Sequence, residues 1–110
     1  MPWVVEFLDE TVEAELEALP ADMKARFIRI ATMISENGLT EVGMPYVRHL
    51  QDKLWEMRMK RRDGISRALY VTAHEQRVVV VRVFVKKTQK TPTREIRLAL
   101  ERAKEVEDHE

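Results

Sequence analysis

The chain has 110 residues, 45% hydrophobic and 35% charged, with a formal net charge of zero, which suits one domain with a single core. It contains no cysteine; this excludes a disulfide framework and thiolate chemistry and leaves the cytoplasm as the default compartment. No apolar run approaches the roughly 20 residues that span a bilayer, and the N-terminal MPWVVEFLDE has neither the basic region nor the cleavage site of a signal peptide, so no membrane association is expected.

Residues 3–7 (WVVEF) read as a short apolar strand with Trp3, Val5 and Phe7 on one side. Asp9 is a suitable N-cap for a helix from Glu10, in which Val12, Leu16 and Leu19 recur at helical spacing. Glu10 and Glu13 fall in its first turn, where the helix dipole favours acids. Leu19-Pro20-Ala21 interrupts the pattern, and Pro20 suits the first turn of a second helix because it has no N–H to leave unsatisfied. Met23, Phe27, Ile30, Ala31 and Ile34 carry that helix to about Asn37, where Asn37-Gly38 stops it. The two helices form an αα-hairpin whose apolar stripes must cover a sheet. Residues 38–53, broken by Gly38, Gly43 and Pro45, read as an irregular connection with at most one helical turn at 46–50. A connection of that length is either functional or a crossing over the sheet edge.

In residues 54–60, Trp55, Met57 and Met59 alternate with Glu56, Arg58 and Lys60. That is the pattern of a half-buried strand with a mostly cationic outer face. Asp63-Gly64 offers a hairpin turn tolerant of positive φ. Residues 65–72 read as a second strand, Ala73-His74-Glu75-Gln76 as a turn, and 77–87 as a third strand rich in valine. A last helix starts with Thr91 as hydroxyl N-cap and Pro92 at the first position; Ile96, Ala99, Leu100 and Ala103 form its stripe. The acidic residues 105–110 are expected to fray. The order β-α-α-β-β-β-α over residues 1–110 describes a single α+β domain.

The zero net charge conceals an asymmetry. Residues 1–47 hold 3 Lys/Arg and 9 Asp/Glu, a balance of −6; residues 48–104 hold 16 and 6, a balance of +10; the last six carry 4 acids. On charge alone, a polyanion site and a dipolar surface without function stand equally open. His49, His74 and His109 are far apart and lack partners at ligand spacing, so no metal and no cofactor are expected. His49 lies beside the basic region, where a structural or surface role is favoured over acid–base work. Glu56, the one acid on the basic strand face, is expected to pair with a cross-strand arginine rather than to accept a proton.

The chemistry left is cationic. Arg58 and Lys60 share a strand face, and Arg61 and Arg62 lie at the turn. Arg67 and Tyr70 are three apart on the second strand, on opposite faces unless a bulge intervenes. Arg82 and Lys86 share a face of the third strand, with Lys87 and Lys90 at its exit. Guanidinium forks bind phosphate bidentately, and amines act beside them as point charges. Cleavage of an RNA phosphodiester needs a base for the 2′-OH, charge at the phosphorane and an acid for the 5′-oxygen, all within reach of Lys and Arg.

The runs LWEMRMKRRDGISRALY and FVKKTQKTP closely resemble the HigB-like, phage-associated branch of the RelE/ParE toxin superfamily, most specifically at residues 54–58, 64–70 and 84–92. The resemblance implies a mostly antiparallel sheet packed against the N-terminal helical hairpin and the C-terminal helix. It implies a toxin of a type II toxin–antitoxin pair that enters the ribosomal A site and cuts mRNA there without a metal, leaving a 2′,3′-cyclic phosphate and a 5′-OH. The matching catalytic positions are Arg58, Arg67, Lys86 and Lys87. Arg67 and Arg58 would hold the scissile phosphate, and Lys86 or Lys87 would act on the 2′-OH. Lys60, Arg61, Arg62, Tyr70, Arg82 and Lys90 are expected to bind RNA, with Tyr70 either stacked on a base or in the core. The implied partner is a helix-turn-helix antitoxin of the HigA type. A ParE-like inhibitor of DNA gyrase shares the fold and stands as the alternative; a decayed module that binds without cutting is a third.

Overall fold

A computed structural model describes residues 3–43, 46–62, 64–86 and 90–109. In chain order they form β1 (Val4–Phe7), α1 (Glu10–Glu17), α2 (Ala21–Asn37), a 3-10 turn (Leu39–Glu41), β2 (Val47–Gln51), β3 (Leu54–Arg61), β4 (Gly64–Ala73), β5 (Arg77–Lys86) and α3 (Thr93–His109). The strands make one sheet in the order β1-β5-β4-β3-β2. Only the β1–β5 pairing is parallel. The α+β class and the two-layer covering of the sheet are as expected.

β2 corrects the expectation of an irregular connection. Val47 lies buried opposite Met57, and His49 stands opposite Trp55 with the two rings edge to face at 5.0 Å. Asp52 turns the chain in the left-handed region at φ 53°, and His49 Nε2 donates to its carbonyl at 2.7 Å. His49 is thus a clamp on the β2–β3 turn. The next hairpin turns one residue earlier than expected: Arg61 pairs with Gly64, leaving 62 and 63 as the connection. Gly64 does not use positive φ, and Asp63 lies outside the described residues.

Alternation along the strands sorts the core into two clusters. Met57, Met59, Ala68, Tyr70, Val78, Val80 and Val83 pack with Val12, Leu16, Met23, Phe27, Ile30 and Ile34 under the helical hairpin. Leu54, Leu69, Val71, Val79, Val81 and Phe84 pack with Ala99, Ala103 and Val106 under α3. The pleat makes this division, because successive side chains point to opposite faces. One irregularity interrupts it: Leu69 faces Arg82 but Tyr70 faces Val80, so Val81 is an extra, bulged residue in β5.

The helix ends follow local chemistry. Asp9 Oδ1 accepts the Val12 N–H at 3.0 Å. Gly38 closes α2 at φ 89°, where any side chain would be strained. Pro20 precedes α2 rather than opening it, its carbonyl accepting from Met23 and Lys24. Pro92 does the same for α3 with Glu95 and Ile96. Thr91 is therefore not the cap expected, and its hydroxyl points elsewhere. α3 continues into the acidic segment as far as His109, because Val106 extends the buried stripe. No described helix is long and apolar enough to cross a membrane.

β1 stops opposite Val80, so the rest of β5 has no neighbouring strand on that side. Side chains close this edge. Glu15 accepts the Val83 N–H at 3.0 Å, and Arg102 donates to the Val81 carbonyl at 2.9 Å and to Glu15 at 3.1 Å. Arg82 forks onto Glu95 at 2.7 and 3.2 Å and pairs with Glu15 at 2.9 Å. The Glu95 hydrogen bond, above all, raises the Arg82 pKa; burial opposes it and Glu15 adds to it. Arg82, expected as an RNA contact, forms a strut joining α1, β5 and α3.

Two outcomes follow for stability. Glu15→Ala removes the acceptor of a buried backbone N–H and the partner of two arginines, and should lower the unfolding free energy by about 3 kcal/mol in urea titration; a loss below about 1 kcal/mol would show the edge to be closed by something else. Tyr70 has no exposed surface, and its hydroxyl has no hydrogen-bond partner among the described residues. Tyr70→Phe should therefore hold or raise stability by about 1 kcal/mol. Burial also raises the Tyr70 pKa. The proton it retains stabilises the fold below the unfolded phenol pKa of about 10 and ceases to do so as pH climbs beyond it. Wild type should thus lose stability above that pH more steeply than Tyr70→Phe in thermal melts.

Candidate functional site

Strand register places the basic residues in rows across the α3 face of the sheet. Arg58 of β3 stands directly opposite Arg67 of β4, which stands opposite Phe84 of β5. One row further toward the strand ends, Ile65 has Lys60 on one side and Lys86 on the other. Two residues in the other direction along β3 is Glu56, opposite Leu69 and, across the other edge, Arg48 of β2. Four cations expected to work together, Arg58, Arg67, Lys60 and Lys86, are thus within two rows of one face.

Two like charges placed opposite each other on adjacent strands repel, and this pair is buried: Arg67 is 0% exposed and Arg58 9%. Glu56, also 0% exposed, makes the arrangement possible. Its Oε2 lies 3.6 Å from Arg67 Nε and accepts the Thr91 hydroxyl at 2.7 Å; its Oε1 lies 3.6 Å from Arg48 Nε and 3.9 Å from Arg58 Nε. Burial lowers the Arg67 pKa, Glu56 acts against that shift, and Arg58 and Arg48 add to it. One carboxylate among three guanidiniums leaves a local surplus of positive charge. The expected pairing of Glu56 with a cross-strand arginine is found, and it extends to three.

The solvated cationic platform read from the strand pattern is corrected in part. Arg67 and Glu56 lie inside the protein, and the exposed members are Lys60 and, half-buried, Lys86. Arg67 therefore faces Glu56 and Arg58 inside the protein. Tyr70 is on the opposite face, in the core under α2; base stacking by it is excluded, and of its two possible roles it has the structural one. Arg61 pairs with Asp22 at 3.4 Å, and Arg62 is exposed at the β3–β4 connection. Lys90 is exposed beyond β5. Lys87 lies outside the described residues.

Several contributors were not singled out in the sequence. Thr91 was visible, but the Thr-Pro pair suggested a helix cap. Arg48 sits in the segment read as irregular. Arg26 and Arg29, on α2, face β3 with the half-exposed Tyr46 across a groove that Arg58 and Lys60 also line. Their spacing of three on a helix marks them as neighbours, but only long-range packing brings them to β3.

A family model described as phage-derived protein Gp49-like matches residues 14–104. No curated protein matches the chain. Among solved structures, a chain of the archaeal RelE–RelB complex from Pyrococcus horikoshii OT3 is similar with a TM-score of 0.56 and 17% sequence identity, covering 83% of this chain and 100% of that one. That likeness is one of fold, and it agrees with the strand and helix order found here. The chain belongs to the phage-derived Gp49-like family and has the RelE fold.

Proposed function

We propose that the protein is the toxin of a type II toxin–antitoxin pair and cleaves mRNA on the ribosome. The observation that carries this reading is the register that sets Arg58 against Arg67, both held by Glu56, with Lys60 and Lys86 in the adjoining row. Such a cluster suits a phosphodiester. The guanidinium of Arg58 binds non-bridging oxygens and gains strength as the phosphorane accumulates charge. Lys60 and Lys86 flank it as point charges. Lys86 or Lys87 takes the 2′-OH proton. The 2′-oxygen–phosphorus bond forms, the phosphorus–5′-oxygen bond breaks, and a protonated lysine of the same cluster returns a proton to the 5′-oxygen. The products are a 2′,3′-cyclic phosphate and a 5′-OH.

Arg67 and Glu56 act as positioning residues in this scheme, and Thr91 ties the approach to α3 to the same carboxylate. The solved archaeal relative is in complex with RelB; for this chain an antitoxin partner is part of the proposal, of the helix-turn-helix HigA type on the HigB-like resemblance of residues 54–58 and 84–92. Inhibition of gyrase would not call on the Arg58–Arg67–Lys86 cluster, so nothing in the site favours that reading.

Primer extension on a reporter mRNA during translation in vitro tests the proposal. New 5′ ends at codon-sized positions are expected with the protein, and none when ribosomes are omitted; intact message from folded protein free of antitoxin would overturn it. Arg58→Ala should lower cleavage about a hundredfold while the circular dichroism spectrum is unchanged. Glu56→Ala tests the positioning role: it leaves Arg67 buried without its carboxylate and should lower the unfolding free energy by about 3–5 kcal/mol, read by urea titration. A stability equal to wild type would mean that Arg67 does not depend on Glu56.

A further inference from the structure

Beyond the sheet face, a groove of about 520 Å³ runs between α2 and the end of β3. Its existence follows from strand length. β2 pairs with β3 only as far as Met57, and the Arg58 N–H donates to the Tyr46 carbonyl at 2.8 Å. From there β3 continues to Arg61 with no strand beside it on the β2 side. The open edge is walled by α2 on one side and Tyr46 on the other.

The lining is strongly one-signed. Arg26 and Arg29 come from α2, Arg58 and Lys60 from β3, and the one acid, Asp22, is engaged with Arg61 at 3.4 Å. Among the described residues, Arg26, Arg29 and Lys60 form no ion pair. This contrasts with the other face of the helical hairpin, where Glu15 is paired twice. Tyr46 stands at the wall with 42% of its surface exposed. Large exposed aromatics beside unpaired cations are the two parts of a single-strand nucleic-acid site: the cations follow the phosphates and the ring stacks on a base.

We infer that this groove binds a single-stranded RNA segment continuous with the strand held at Arg58, with phosphates on Arg26, Arg29 and Lys60 and a base on Tyr46. The inference rests on the reading of the protein as an RNA-cleaving toxin, yet its test needs no cleavage. Arg58 links the two regions, since it lines the groove and also lies 3.9 Å from Glu56. An acidic protein segment would match the charge but would leave the exposed ring without a use.

The probe is a fluorescein-labelled, 2′-O-methylated mixed-sequence oligonucleotide, which cannot be cleaved through its 2′ position, followed by anisotropy from low to moderate salt. The double variant Arg26→Ala/Arg29→Ala should weaken binding tenfold or more and flatten the log–log salt slope by about 1.4, from about 0.7 per phosphate contact on a single strand. Tyr46→Ala should weaken binding about tenfold, and Tyr46→Phe should restore it, because phenylalanine stacks equally well. Arg97→Glu, on exposed α3 surface, serves as the control and should lower affinity less than the groove variants. All positions are on the surface, so melting temperatures report that each variant is folded. Unchanged affinity and slope in the double variant overturns the inference. So does a groove that fails to bind the oligonucleotide but binds an oligoglutamate peptide, which would assign it to an acidic protein partner. If the variants behave as expected and wild type does not cut mRNA on ribosomes, the groove stands and the nuclease reading falls.

Discussion

Glu56 is a carboxylate without exposed surface, surrounded by arginines from three adjacent strands and a threonine from the approach to α3. Taking a single charge from water into a protein costs several kcal/mol unless partners and hydrogen bonds compensate. Here the partners are themselves like charges that would repel each other across β3 and β4. The acid and the arginines make one another tolerable, and neither set would be stable in this place alone. The same contacts hold β2, β3 and β4 in register at the end of the sheet where the candidate chemistry lies. A structural demand and a functional one are met by a single group.

The charge asymmetry of the chain has a similar double meaning. Three of the nine acids of the N-terminal half neutralise cations of the other half: Glu6 on Arg77, Glu15 on Arg82 and Arg102, Asp22 on Arg61. The Glu15 and Asp22 pairs join one layer of the domain to another, and Glu6–Arg77 ties β1 to β5 within the sheet. The segment balance of +10 is therefore partly offset once the chain folds. Among the described cations without an ion pair, Lys60 and Lys86 lie on the sheet end and Arg26 and Arg29 on α2. Their position is more informative than their number.

Elements whose signals are local were legible. Asp9 capped its helix, Gly38 ended α2, and the alternation of Met57 and Met59 with Glu56 and Arg58 told which way β3 faces. β2 was not legible, because only Val47 of its five residues is buried and no alternation results. Thr91 was misread since a hydroxyl before proline satisfies the local rule for a cap, and the competing acceptor is 35 residues away in sequence. Tyr70 against Tyr46 is the clearest case. Both are tyrosines near basic residues, and only packing decides that one is in the core and the other at the surface. The resemblance to RelE-type toxins supplied the fold and the cluster on the sheet, while Arg26 and Arg29 belonged to no motif.

The bulge at Val81 has a consequence for inheritance. It lies within a run of four valines, where adding or losing one residue changes neither composition nor hydrophobicity. Because side chains alternate, the bulge is what lets a run with one extra residue keep the later residues of β5 on their faces. With one valine fewer and the same pairing before it, Arg82 would follow Val80 directly opposite Leu69, the bulge would vanish, and Val83 and Lys86 would keep their faces. A single-codon deletion in a repetitive tract would thus straighten the strand and cost one buried side chain, Val81, while its cation stayed on the same side of the sheet.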